Sequence, residues 1–154
     1  MATEPVRELI VQDCVTSLLA VNGTGDYWSI LLDAVRGKLD PESPPLTPFI
    51  DEGDEQTAPG NNPQISHTLP ITVEVVVQSD DGQDLPTLVN RLIADLERAL
   101  TGSETSRSRG GRATTTTMTG NSCTLDPPPG VLASVRAQFE VQYLTRLGQP
   151  ELVG

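Results

Sequence analysis

The stretch ASVRAQFEVQYLTR, residues 133–146, sets apolar side chains at every second position: Ala133, Val135, Ala137, Phe139, Val141 and Tyr143. Ser134, Arg136, Gln138, Glu140 and Gln142 lie between them, so the period is two, that of a strand with one apolar and one wet face. HTLPITVEVVVQS, residues 67–79, repeats the pattern. Leu69, Ile71, Val73, Val75 and Val77 share one face, and Thr68, Thr72, Glu74 and Gln78 fall mostly on the other. Two long one-sided strands need elements to cover their apolar faces, and they leave their wet faces to solvent, a partner or a channel.

The cover comes from two helical patterns. Leu85, Leu88, Val89, Leu92, Ile93, Leu96 and Leu100 fall on a single amphipathic stripe, with Asp84 placed to cap the helix and Gly102 to stop it. An earlier helix runs from a cap at Thr3 to about Val21, ends at Asn22-Gly23, and tolerates Pro5 in its first turn, where a missing N–H has no partner to lose. Its apolar residues, Ile10, Val11, Cys14, Val15, Leu18, Leu19 and Val21, spread over a wider arc than one contact requires, which leaves room for a shared face.

The remaining segments read as connections and short strands. YWSILLDAV, 27–35, is strand-like. LTPFID, 46–51, is a short strand that Pro48 confines to an edge. Residues 52–66 form an exposed acidic loop and SETSRSRGGR, 103–112, a basic, flexible one; a loop at 120–130 ends in three prolines. TTTTMT, 114–119, is β-prone because branched threonines suit a pleated surface, and GQPELVG is a short tail. The order α, β, β, β, α, β, β predicts one α+β domain over 1–154, a mainly antiparallel sheet with two helices packed on one face.

Composition narrows the function. The chain has 154 residues and a formal charge of −11, against what a phosphate-binding groove requires. The charge is lopsided: residues 1–106 hold 18 acids and 5 bases, and residues 107–154 hold 3 acids and 5 bases. Nine of the ten bases are arginine, a usage expected of a salt-loving or GC-rich host. No segment is long and apolar enough to cross a bilayer, and the acidic start MATEPVRELI does not read as a signal peptide, so the protein is expected in the cytoplasm. Cys14, on the apolar side of a helix, reads as a small buried hydrophobe, and Cys123 lies in a Thr-rich strand or loop. The two do not make a disulfide framework.

A search for chemistry returns little. His67, the one histidine, has no acid or cysteine beside it in sequence, and NGTGDYW lacks the third glycine and preceding strand of a dinucleotide turn. SRGGR lacks the lysine and hydroxyl of a phosphate loop, though its arginines can grip an acidic partner. DEGDE, 51–55, and DDGQD, 80–84, lack the twelve-residue calcium-loop spacing and read as solvated acids. No nucleophile, base and orienter compose a catalytic set, and no cofactor or metal is expected.

The elements PVRELIVQDCVTSLL, GDYWSILLDAVRG, LTPFID, SHTLPITVEVVVQ, LPTLVNRLIADLERAL and FEVQYLTRLGQP, taken in order, resemble tail terminator proteins of long-tailed, siphovirus-like phages over almost the whole chain. The resemblance is one of pattern and order. It implies a small α+β structural subunit without cofactor or catalytic residues, at the neck end of the virion tail. There it forms a homo-oligomeric ring, of six subunits in the family, that caps the tail tube protein, ends tube polymerisation and offers a docking surface to a head-connector or neck protein. DNA passes through such a ring without tight binding.

On this basis Arg107, Arg109 and Arg112 are candidate contacts to an acidic neighbour. Asp51, Glu52, Asp54 and Glu55 are the matching carboxylates, and Arg136, Gln138, Glu140 and Gln142 form a candidate lumen or contact face. Another neck or head-closure protein, or a non-viral acidic α+β module that binds a peptide or cation, remains the alternative.

Overall fold

The structure is a computed structural model that describes residues 2–79, 84–125 and 132–154. Its elements in chain order are α1 (Val6–Leu19), β1 (Val35–Arg36), β2 (Phe49–Glu52), β3 (Gln56–Pro59), β4 (Gln64–Gln78), α2 (Leu85–Thr101), α3 (Glu104–Arg107), β5 (Thr115–Leu125), β6 (Leu132–Arg146) and β7 (Gln149–Val153). The strands make one seven-stranded sheet with a central order β1-β2-β4-β6-β5. Only β1 and β2 are parallel; the other pairs are antiparallel. This is the α+β class that the two long alternating strands predict.

β4 and β6 are the spine. They pair without a break from Gln64↔Arg146 to Gln78↔Leu132. Along β6, Ala133, Val135, Ala137, Phe139, Val141 and Tyr143 are buried, and along β4 so are Leu69, Ile71, Val73, Val75 and Val77. Slipping either strand by one residue would carry its whole apolar set to the wet face, so burial itself holds the register. Val6, Ile10, Val11, Cys14 and Leu18 of α1, with Leu85, Val89, Leu92, Leu96 and Leu100 of α2, close the core over that face. Each buried Leu, Ile or Phe contributes about 1.5–3 kcal/mol.

Pro70 decides where the flank of β4 divides. It has no N–H for a neighbour, and it falls between the stretch paired with β2, which ends at Glu52↔Ile71, and the stretch paired with β3, which starts at Gln56↔Thr68. Residues 53–55 therefore leave the sheet opposite Pro70 and rejoin it as β3. Gly53 suits this departure: its N–H donates to the Pro70 carbonyl, and a Cβ there would lie 3.1 Å from the proline ring.

Several sequence expectations are corrected. The 52–66 segment is not one loop, because 56–59 form β3 and β4 already begins at Gln64. The tail is the strand β7, folded back on β6. β5 extends to Leu125, so the expected loop at 120–130 starts as strand, while its triple proline lies outside the described residues. The 27–35 run is not a continuous strand; it has one isolated bridge, Asn22↔Ile30, and only Val35–Arg36 joins the sheet.

The helix ends differ in part. α1 is capped at Pro5 rather than Thr3, with no side-chain cap bond, and Asp84 holds the cap position of α2 with its carbonyl accepting from Leu88 N–H but no side-chain cap bond. Gly102 ends α2 as expected. Its N–H donates to Arg98 O, and a Cβ there would sit 2.4 Å from that oxygen.

Candidate assembly surfaces

The sheet has one covered face and one open face. On the open face Arg136 of β6 lies across from Glu74 of β4 and Ser122 of β5, Gln138 from Thr72 and Gly120, Glu140 from Pro70 and Thr117, and Gln142 from Thr68 and Thr115. The four candidate lining residues thus stand in one row, flanked by small hydroxyl side chains. Arg136 and Glu74 place opposite charges directly across a strand pair, which offsets the one cation in the row. Arg136, Gln138 and Gln142 are exposed and Glu140 is half-buried. The row is polar and close to neutral, with Val76 and Leu144 adding apolar area on the same face.

The acidic segment divides in two. Asp54 is exposed and Asp51 half-buried, and neither makes an ion pair with a described residue. Glu52 and Glu55 are half-buried and already paired within the chain, Glu52 in a surface network and Glu55 at the edge of the core. Glu52 meets Arg36 at 2.6 Å and Arg7 at 3.3 Å, and Arg36 reaches Glu8 at 2.6 Å. The hydrogen bond from Arg36 holds the Glu8 carboxyl below its usual range, and the same contact raises Arg36.

Glu55 swings from the break opposite Pro70 over the end of the core. It meets His67 Nδ1 at 3.2 Å, accepts from the Tyr143 hydroxyl, and lies 3.7 Å from Arg7. The His67 and Tyr143 rings stack 4.5 Å apart, and His67 Nε2 is 2.7 Å from Thr145 Oγ1. Burial, reinforced by Glu55, raises the Tyr143 phenol well above its ordinary value. The histidine that has no acid beside it in sequence has one in space.

A hydroxyl, an imidazole and a carboxylate in line repeat the connectivity of a nucleophile relay. Thr145, however, is 4% exposed. A cavity at this end of the sheet is lined by Thr57, Pro59, Pro63, Ile65, Leu147 and their neighbours, and not by His67, Glu55 or Thr145. The arrangement satisfies buried polar groups where α1 meets the sheet.

The 103–112 loop is also corrected. It contains α3, capped by Ser103, whose Oγ accepts from Ser106 N–H. Arg109 is wholly buried. Its guanidinium lies 3.2 Å from Asp13 Oδ2 and 3.3 Å from Ser17 Oγ, and it donates to the Leu100 carbonyl at 2.5 Å. Arg109 therefore ties the loop to α1 and α2 of its own chain and cannot serve as a docking residue. Arg107 stays exposed, and Arg112 donates to Arg109 O at 3.3 Å. Cys14 packs beside the same guanidinium, and burial pushes its thiol up to about 11. Both cysteines are free, Cys14 buried and Cys123 exposed.

One surface escaped sequence reasoning. Trp28, Ile30 and Leu32 are 54%, 60% and 44% exposed, while Leu31 between them is buried. Asp95, a fully buried carboxylate on α2, accepts from Trp28 N–H at 3.2 Å and Ser29 N–H at 2.7 Å, while Leu31 and Leu32 N–H donate to the Val21 and Leu46 carbonyls, and together these hold the segment in place. Asp95 sits on the apolar stripe of α2 between Leu92 and Ala99, and that misplaced charge was the available signal. Beside the segment opens a cavity of about 320 Å³ lined by Trp28, Ile30, Leu46, Val77, Leu88 and Arg91 among others. The Arg98 guanidinium lies 5.5 Å from the centroid of the Trp28 ring.

No group of three or more His, Cys, Asp or Glu among the described residues could hold a metal ion. Of DDGQD only Asp84 is described. Among the described residues no helix is long and apolar enough to cross a membrane. No protein-family model matches the chain, and no curated protein matches it significantly.

Proposed function

We propose that this chain is a ring-forming structural subunit of a phage tail that caps the tail tube, ends its polymerisation and presents a docking surface to the head side. The observation that carries the reading is the open face of the sheet. Three long strands lay out a mostly polar face whose central row is near neutral, with Arg136 answered by Glu74, apolar Val76, Leu132 and Leu144 toward its ends, and α1 and α2 packed on the other side. Such a face suits the wall of a DNA passage, where clustered Lys and Arg would hold phosphate that must slide past. The element order implied by the resemblance to tail terminators supports the same reading, as does the −11 charge.

Ring closure by six subunits would use heterologous contacts, one patch meeting a different patch on the next copy. Asp54 and Arg107, which are exposed, and the half-buried Asp51 and Arg112 are the remaining charged candidates for contacts to tube or neck proteins. The host cytoplasm during assembly, and the neck end of the tail afterwards, are the compartments this role requires. The test is electron microscopy of gold-labelled chain mixed with preformed tubes of the tail tube protein. Label confined to tube ends is expected. Label along the tube walls, or none on tubes, would contradict the proposal.

A further inference from the structure

We propose that the groove beside Trp28 receives the β6–β7 hairpin of a second copy of this chain. Besides Trp28, Ile30 and Leu32, the chain exposes a second apolar group on that hairpin: Leu147 at 63%, Leu152 at 40% and Val153 at 44%. The two patches lie at opposite ends of the long strands. The groove is lined by Val77 and Gln78, where β4 meets the start of β6. The hairpin follows Arg146 at the other end, with Leu147 N–H bonded to Pro63 O. About a dozen residue steps of strand, roughly 40 Å, separate them. One subunit cannot bring its own patches together, so their burial against each other requires another chain.

Charge selects the same occupant. Arg91 lines the groove, is exposed, and makes no ion pair or hydrogen bond with a described residue. Glu151 of the hairpin likewise pairs with no described residue. Bringing the hairpin into the groove places Glu151 and Val153, which share one face of β7, toward that guanidinium, and Leu147 at the turn against an indole already braced by Arg98. A solitary exposed tryptophan on a concave apolar surface has the composition of an interface hot spot. Groove and hairpin are different surfaces, so the contact is head-to-tail, as closed rings require.

This inference deepens the ring reading, and its test separates the two. Ile30→Glu disables the groove and Leu147→Glu the hairpin, at the two most exposed of these positions. Each variant alone should lose self-association, with affinity weakened roughly thirtyfold or more by sedimentation velocity. Mixed together, each supplies the surface the other lacks, so a 1:1 pair and nothing larger is expected. Ile30→Cys and Leu147→Cys chains, in a Cys123→Ser background, should form a mixed disulfide on oxidation, which checks the contact without a charged substitution. If the parent assembles but both Glu variants assemble equally well, and the Cys pair does not cross-link, the interface is wrong while the ring reading stands. A parent that binds tube ends only as a monomer overturns both. Capture of a different protein by the groove, with no self-association, overturns the assignment of a second copy.

Discussion

Arg109→Ala should cost about 3 kcal/mol of stability, because the arginine is a wholly buried charge that ties the 103–112 loop to both α1 and α2. The guanidinium is fully buried, and its partners come from two helices: Asp13 and Ser17 of α1 and the Leu100 carbonyl of α2. Breaking a buried pair by removing one partner typically costs about 3–5 kcal/mol. The lower end applies here, because the Asp13 side chain is 28% exposed and can rehydrate. For a domain of this size each kcal/mol lowers Tm by roughly 2–4 °C, so a fall of roughly 6–12 °C is expected. Arg109→Met keeps most of the apolar stem and should lose less.

The pair itself is measured by a double-mutant cycle with Asp13→Asn, read by urea denaturation. A coupling of about 1 kcal/mol or more is expected. Hydrogen exchange over residues 103–112 runs alongside, since the loop can detach without global unfolding. A global change under about 0.5 kcal/mol together with unchanged exchange in the loop would refute the anchoring role.

Asp95→Ala should cost about 2–3 kcal/mol by urea denaturation, since charged acceptors contribute about 1.5–3 kcal/mol per hydrogen bond before the relief of burying the carboxylate; unchanged stability would mean that Asp95 does not hold the Trp28 segment. Burial raises the Cys14 thiol from 9.0 to about 11, so its stabilising effect is complete below pH 9 and lost as pH rises from about 9 to 11, where the unfolded thiol ionises first. Cys14→Ala should flatten that part of the pH–stability curve, and an identical slope in the variant would count against it. A thiol reagent should modify Cys123 quickly and Cys14 only on unfolding; two fast thiols per chain would contradict the burial of Cys14. Fluorescence anisotropy with duplex DNA at physiological salt should show no binding; tight binding abolished by Arg136→Gln would overturn the reading of the open face.

The parts of the fold that sequence made legible are those written in one strand or one helix. The alternation in β4 and β6 and the stripe of α2 each carry their own period, because each element buries one face over many residues. What stayed hidden depends on partners far along the chain. An arginine in SETSRSRGGR reads as solvated until Asp13 and Ser17 of α1 and a carbonyl of α2 close around it.

The same applies to His67, whose carboxylate arrives only because Pro70 forces residues 53–55 out of the sheet. β3 and β7 are short, so they have no period of their own and exist because long neighbours offer them free backbone. The 27–35 run misled for a physical reason. Its strongly apolar run reads as a strand, but Asp95 holds Trp28 and Ser29 and scattered backbone bonds hold Leu31, Leu32 and Val35 in place of a continuous ladder, and Trp28, Ile30 and Leu32 are exposed.

The central claim, that this chain terminates a tail tube, is tested most directly by the length of tubes polymerised from tail tube protein with the chain added at rising molar ratio. Tubes should stop growing, shorten as the ratio rises, and carry a ring of this chain at one end. A length distribution identical with and without the chain, and bare tube ends, would contradict it.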